Sequence, residues 1–230
     1  MADYFVTGTD TDIGKTLVCE ALLYKAAQQG LRTMGLKPLA AGAVDSGQGL
    51  QNDDALRLQQ AASVKLPYSQ VNPVALAEAI APHIAAQKAG KVLSASRLAG
   101  FVRGAMMQPA DLRLVEGAGG WLVPLNPQEM LSELPRQLHL DVILVVGMRL
   151  GCLNHALLTA RAIAADGLNL VGWVATQIDA DMPVLNENLA SLKSLLPAPC
   201  LGFIPYQADI DGEKAAAFVS LPVSGQDKGL

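Results

Sequence analysis

Gly8-Thr9-Asp10-Thr11-Asp12-Ile13-Gly14-Lys15-Thr16 follows the β-rich run Tyr4–Thr7 and leads into the helical-period stretch Lys15–Gln29, which Gly30 ends. Strand, glycine-bearing turn and helix start, in that order, are the layout of a phosphate-binding loop. The free N–H groups of a helix N-terminus face the anion, the lysine reaches the outer phosphates, and the hydroxyl after it ligates magnesium. Five residues separate Gly8 from Gly14, so the loop is longer at its front than the usual spacing of about four. A plain strand-to-helix turn capped by Asp12 is the other reading. The flanking strand and helix favour phosphate.

Outward from this loop the chain alternates short apolar runs with segments of helical period, each change marked by Gly, Pro or a capping residue. Strands are expected at Thr33–Leu39, Leu112–Val115, Val142–Val146, Leu170–Ala175 and Cys200–Ile204, with Pro38 marking the second strand's end. Helices are expected from Asp53 or Asp54 as cap to about Ala62, near Leu76–Ala89, over Ser94–Met107 and over Leu153–Ala165. Continuous apolar runs such as Val142–Gly147 belong to strands buried on both faces, as parallel strands with crossover helices are. The fold class is therefore α/β: a doubly wound, mostly parallel sheet flanked by helices, in one P-loop domain over 1–223. Residues 224–230 read as a flexible tail, and Ala43–Gln51 as a polar loop. Ligands of such sheets bind beyond the carboxyl ends of the strands, so the residues just after each strand carry the function.

Composition removes several classes. A net charge of −4 and 4% aromatics offer neither the basic face nor the stacking platform that nucleic acid requires. The apolar runs fall well short of the roughly 20 residues that span a bilayer, and no basic-then-apolar leader opens the chain, so neither membrane nor export is expected. Cys19, Cys152 and Cys200 are odd in number and widely spaced, which suits reduced thiols in the cytoplasm. His83, His139 and His155 form no zinc spacing with them, and no serine nucleophile elbow is present.

Three further segments follow strands. Leu112-Arg113-Leu114-Val115-Glu116-Gly117-Ala118-Gly119-Gly120 ends a strand on a carboxylate and continues in small residues that let a ligand approach the backbone. Glu116 stands where a phosphate-loop protein places an acid of the magnesium shell, with a structural ion pair as the alternative. Asp54 is a second candidate ligand or a helix cap. Lys37 at the end of the second strand either joins Lys15 in neutralising phosphoryl charge or lies along the surface. Val146-Gly147-Met148-Arg149-Leu150-Gly151-Cys152-Leu153-Asn154-His155 is a strand, turn and helix start whose free N–H groups at Gly151–Asn154 suit a second anion, or an ordinary connection.

Together these motifs resemble the dethiobiotin synthase family. The resemblance rests on Gly8–Thr16, Lys37-Pro38, Asn52–Ala55, Val115–Trp121 and Val145–Ala156, extended by Gly172-Trp173-Val174-Ala175 and Gly202–Pro205, nearly the whole chain in order. The longer loop is itself a feature of that family. What it implies is a magnesium- and ATP-dependent condensation of carbon dioxide with 7,8-diaminononanoate: one amine becomes a carbamate, its oxygen attacks the γ-phosphorus, and the second amine closes the ureido ring as phosphate leaves. Carried over, Lys15 and Lys37 are catalytic, and Thr16, Asp54 and Glu116 form the magnesium shell. ATP falls to Asp12, Ile13, Gly14, Lys15, Thr16, Leu17, Asp54, Glu116, Gly117, Ala118, Gly119, Thr176, Gln177, Pro205, Tyr206 and Gln207. Thr11, Lys37 and Ala41 touch the diamine. Gly151, Cys152, Leu153 and Asn154, from the partner of a homodimer, hold its carboxylate tail.

Two positions depart from the family pattern. Ala41 replaces a serine that contacts the substrate, a loss of about 0.5–1.5 kcal/mol. Thr176 replaces an asparagine that reads adenine, and one hydroxyl cannot match both groups of that edge. Rival classes are weaker matches. Partition-type or septum-positioning ATP switches carry an extra lysine early in the loop, where this chain has Thr9-Asp10-Thr11-Asp12, and amidoligases carry a glutaminase domain for which 230 residues leave no room.

Overall fold

The computed structural model describes residues 1–223; the segment 224–230, expected to be a tail, lies outside the described residues. The main sheet holds β1 (Ala2–Gly8), β2 (Thr33–Leu36), β3 (Leu112–Glu116), β4 (Asp141–Met148), β5 (Leu170–Gln177) and β6 (Cys200–Ile204). Their spatial order is β6-β5-β4-β1-β3-β2, with every pairing parallel. From β1 the chain winds outward to β2, returns to β3, then crosses β1 to build β4, β5 and β6 on the other side. That reversal puts the topological switch point beside β1, and opens the crevice at its carboxyl end.

Alternation along the strands divides the core between two faces. Tyr4, Val6, Leu112, Leu114, Ile143 and Val145 pack with Val18, Leu22 and Ala26 of α1 (Lys15–Gln28). Phe5, Val115 and Val142 point the other way, against Leu98, Ala99 and Val102 of α3 (Ala95–Met106), which follows α2 (Asp53–Ala61) in the chain. A third cluster joins Leu144, Val146, Trp173 and Ala175 to Cys152, Ala156 and Ala160 of α4 (Cys152–Ala165) and Leu192 of α5 (Leu185–Leu195). From Val142 to Met148 every residue is buried, as the unbroken apolar run requires.

Several expected elements are redrawn. The strand expected over Thr33–Leu39 breaks after Leu36, because Pro38 cannot donate to a ladder; Leu39–Ala41 pairs instead with Val74–Leu76 in a separate two-stranded sheet. The helix expected near Leu76–Ala89 spans only Pro82–Lys88, with proline at its first position. Asn52, rather than Asp53 or Asp54, caps α2, its side chain accepting from the Ala55 N–H at 3.3 Å. Within Ala43–Gln51 the pairs Val44–Asp45 and Leu50–Gln51 form a short antiparallel hairpin.

Candidate active site

Three strand ends bring the site together. Gly8 closes β1 and the loop after it turns into α1 through Gly14, whose φ of 87° lies in the left-handed region that a side chain would strain. Glu116 closes β3 in register with Val6 of β1. Lys37 comes one residue after Leu36, the partner of Val115, so it stands level with Glu116 across the same pair of strands. Its backbone is fixed on both sides: Lys37 N–H donates to the Val71 carbonyl at 2.9 Å, and Asn72 Nδ2 donates to the Lys37 carbonyl at 2.6 Å. The lysine therefore enters the site from a clamped main chain rather than along the surface.

Lys37 Nζ donates to Glu116 Oε1 at 2.6 Å and to Asp54 Oδ2 at 2.7 Å, and Thr16 Oγ1 donates to the same Glu116 oxygen at 2.9 Å. Lys37 and Glu116 are 4% and 1% exposed, so the pair sits in a low-dielectric setting. Burial by itself depresses the Lys37 ammonium, but Glu116 and Asp54 outweigh it and hold the group above its ordinary range. The same ion pair overcomes the burial of Asp54 and keeps its carboxyl below the usual value. Lys15 goes the other way: burial, with help from the neighbouring Lys37 charge, lowers it. Lys15 Nζ rests on the Asp10 carbonyl at 2.7 Å, folded back over its own loop.

A cavity of about 810 Å³ opens over these groups, within the roughly 300–1,000 Å³ typical of small-molecule sites. Of the residues expected from sequence, Thr11, Asp12, Ile13, Gly14, Lys15, Thr16, Leu17, Lys37, Ala41, Asp54, Glu116, Ala118 and Gly119 all line it. Its lining combines the charged groups Lys15, Lys37, Asp54, Arg57 and Glu116 with an apolar set, Ala40, Ala79, Ile80, Leu122 and Val123. This apolar set is not legible from sequence, where the helical period runs back over Ala79 and Ile80; Pro82 as first helical residue is the signal that they precede the helix.

Other expected residues lie outside that cavity. Gly117 rests against the Phe5 ring, where a Cβ would come within 2.9 Å of the ring. Thr176 sits behind the loop, its hydroxyl donating to the Ile13 carbonyl at 2.5 Å. Gln177 is tied locally: its Oε1 accepts from the Tyr206 N–H at 3.2 Å, and its Nε2 donates to the carbonyls of Asp179 and Ala180. Pro205 and Gln207 flank Tyr206 just past β6. Gly151, Cys152, Leu153 and Asn154 open α4, and Arg149 beside them pairs with Asp10 of the phosphate loop.

The donor set suits a hard cation. Thr16 and the carboxylates of Asp54 and Glu116 are oxygen ligands of the kind magnesium takes alongside phosphates, and Glu116 Oε2 is buried with no hydrogen-bond partner among the described residues. Clusters of three or more His, Cys, Asp or Glu are absent among the described residues, so a nucleotide's own oxygens would complete such a shell.

A family model described as an AAA domain matches residues 2–214. The ATP-dependent dethiobiotin synthetase BioD of Cellvibrio japonicus is 59% identical over 218 residues, 95% of each chain. The chain belongs to the dethiobiotin synthetase family. The Pseudomonas aeruginosa (strain UCBPP-PA14) dethiobiotin synthetase is 54% identical over 96% of this chain and 97% of its own, and that of Marinobacter nauticus is 50% identical over 94% and 93%. Among solved structures, the MinC:MinD complex of Aquifex aeolicus aligns with a TM-score of 0.56 at 13% identity, over 94% of this chain and 86% of that one. The signal recognition particle receptor FtsY of Elizabethkingia anophelis gives 0.51 at 17%, over 94% and 64%. Those two likenesses are of fold alone, a parallel sheet flanked by helices. No helix among the described residues is long and apolar enough to cross a membrane.

Proposed function

We propose that the protein is an ATP-dependent dethiobiotin synthase that carboxylates 7,8-diaminononanoate and closes its ureido ring, through a carbamic-phosphoric anhydride, to give dethiobiotin, ADP and phosphate. The observation that carries this is one cavity lined both by two buried lysines and by an apolar set of side chains. A diamine on a methylene chain needs both. Its reacting end generates a carbamate and receives phosphoryl charge, and its chain needs somewhere dry.

No protein nucleophile enters. Lys15 and Lys37 hold the carbamate and the γ-phosphate together, so the carbamate oxygen meets phosphorus from a fixed position and both ammonium groups face the charge that develops. The anhydride then leaves its carbonyl open to the second amine, and phosphate departs. Magnesium held by Thr16, Asp54 and Glu116 would neutralise the terminal phosphates. Thr11 and Ala41 border the diamine end, while Gly14, Lys15, Thr16 and Leu17 receive the phosphates.

The assembly we infer is a homodimer of one synthase domain over 1–223, working in the cytoplasm where ATP is supplied. Leu150 and Leu158, 97% and 55% exposed, flank the start of α4 with apolar surface suited to a second copy. Gly151–Asn154 of that copy would then receive the substrate carboxylate at a helix N-terminus. The deciding measurement is phosphate release from ATP. It should rise only when diamine and bicarbonate are both present; ATP cleavage indifferent to them would overturn the synthase reading.

A further inference from the structure

Ile13 fastens the phosphate loop to the sheet twice. Its side chain, 1% exposed, fills a slot that exists because Gly8 and Gly147 lack side chains: a Cβ there would come within 2.7 Å of Ile13 Cδ1 and 2.6 Å of Ile13 Cγ2. Its carbonyl accepts the Thr176 hydroxyl at 2.5 Å. Thr176 is the register partner of Gly147 and is 3% exposed, so slot and hydroxyl lie side by side on β4 and β5. A hydroxyl has one proton to donate. The Val146 carbonyl at 3.4 Å is the poorer acceptor, and the proton goes to Ile13.

A trans peptide is planar, so the Ile13 carbonyl and the Gly14 N–H point in opposite directions. With the carbonyl held on Thr176, that N–H points away from Thr176, and Gly14 itself lines the cavity together with Lys15 and Thr16. The Thr176 methyl closes the same corner, 3.3 Å from where a Gly14 Cβ would stand. We propose that Thr176 is a positioning residue of the phosphate site: its hydroxyl fixes the Ile13–Gly14 peptide and thereby aims the Gly14 N–H at phosphate, and it does not read the base. This rests on the phosphate-loop reading above. Without the hydroxyl the Ile13 carbonyl is buried without its donor and the peptide turns to seek another, so every ligand that uses the loop must first restore it.

The test compares binding of ATP, GTP and inorganic tripolyphosphate to the full chain by calorimetry, for wild type, Thr176→Val, Thr176→Ala and Thr176→Ser. Valine keeps the shape, alanine covers the case in which valine fails to fold, and serine keeps the hydroxyl. Loss of the hydroxyl should weaken all three ligands by the same factor, about tenfold, and serine should restore them to within about threefold. Gly14 amide hydrogen exchange in the free protein should rise in step. The proposal is overturned if ATP weakens while tripolyphosphate does not, which would make Thr176 a base reader, or if melting temperature falls while ligand affinity stays put, which would make it structural only. Failure of the wild type to bind any of the three would instead remove the phosphate-loop reading itself, and this proposal with it.

Discussion

Lys37 Nζ lies 2.6 Å from Glu116 Oε1, at the carboxyl ends of two neighbouring parallel strands. Parallel pairing puts equivalent positions of β2 and β3 side by side, so a lysine one residue beyond Leu36 and a glutamate one residue beyond Val115 meet by register alone. Asp54, 2.7 Å from the same ammonium, comes from the first turn of α2. One cation thus holds two carboxylates in the place where magnesium, nucleotide and carbamate are proposed to meet.

Replacing Lys37 with Gln should lower kcat by about 10² to 10³ with little change in KM for ATP, if the ammonium acts on charge that appears only in the transition state. The substitution also leaves Glu116 buried beside Asp54, at a cost on the order of 3 kcal/mol of stability. Turnover should therefore be measured well below the variant's melting temperature. Unchanged kcat would remove Lys37 from the chemistry.

Glu116 Oε2 is buried and unpartnered among the described residues, which is costly unless something binds it. Chelation with EDTA should abolish turnover, and magnesium should restore it. Glu116→Gln should raise the magnesium concentration for half-maximal activity by at least about tenfold, since an amide oxygen carries no charge for the ion. An unaltered magnesium requirement would place the ion on other ligands.

Sheet and loop were legible because their signals are local. The glycine-lysine-threonine turn, the run Val142–Gly147 and the acid at the end of Leu112–Glu116 each declare a strand end without help from the rest of the chain. Non-local features were not legible. Nothing in Ala79-Ile80-Ala81-Pro82 says that it lines one cavity with Leu122 and Val123, and only folding sets the Asp10 carboxylate against Arg149 or the Glu20 carboxylate against Arg57. Thr176 is the instructive case. Its place after Gly172-Trp173-Val174-Ala175 is where the family pattern has a base-reading asparagine, and nothing local says that this hydroxyl donates to a carbonyl of the first loop, 163 residues away in sequence.

Nucleotide choice follows from that bond. Thr176 has no proton left for an adenine edge, and the Gln177 amide is tied to Asp179, Ala180 and Tyr206. GTP and CTP should support turnover with kcat/KM within about tenfold of ATP, because missing hydrogen bonds of this kind are worth roughly 1 kcal/mol each. A preference for ATP above about a hundredfold would mean that another group reads the base.

Cys19 makes the pH dependence of stability testable. The thiol lies in α1 with no exposed surface, and burial, aided by the nearby Glu116 charge, pushes it well above its ordinary value. In the unfolded chain it should ionise near its usual value of about 8.5. The unfolded state then releases a proton that the folded state keeps. Stability from this group is therefore complete below about pH 8.5 and declines as pH rises toward the folded value, by at most about 1.4 kcal/mol per pH unit. Other alkaline groups, Tyr4, Tyr24 and Tyr68 among them, titrate alike in wild type and in Cys19→Ala and cancel in the comparison. Urea unfolding at pH 7 and pH 10 should show wild type losing more stability than the variant over that interval. Parallel losses would mean that the Cys19 thiol ionises at the same pH folded and unfolded, contrary to its burial.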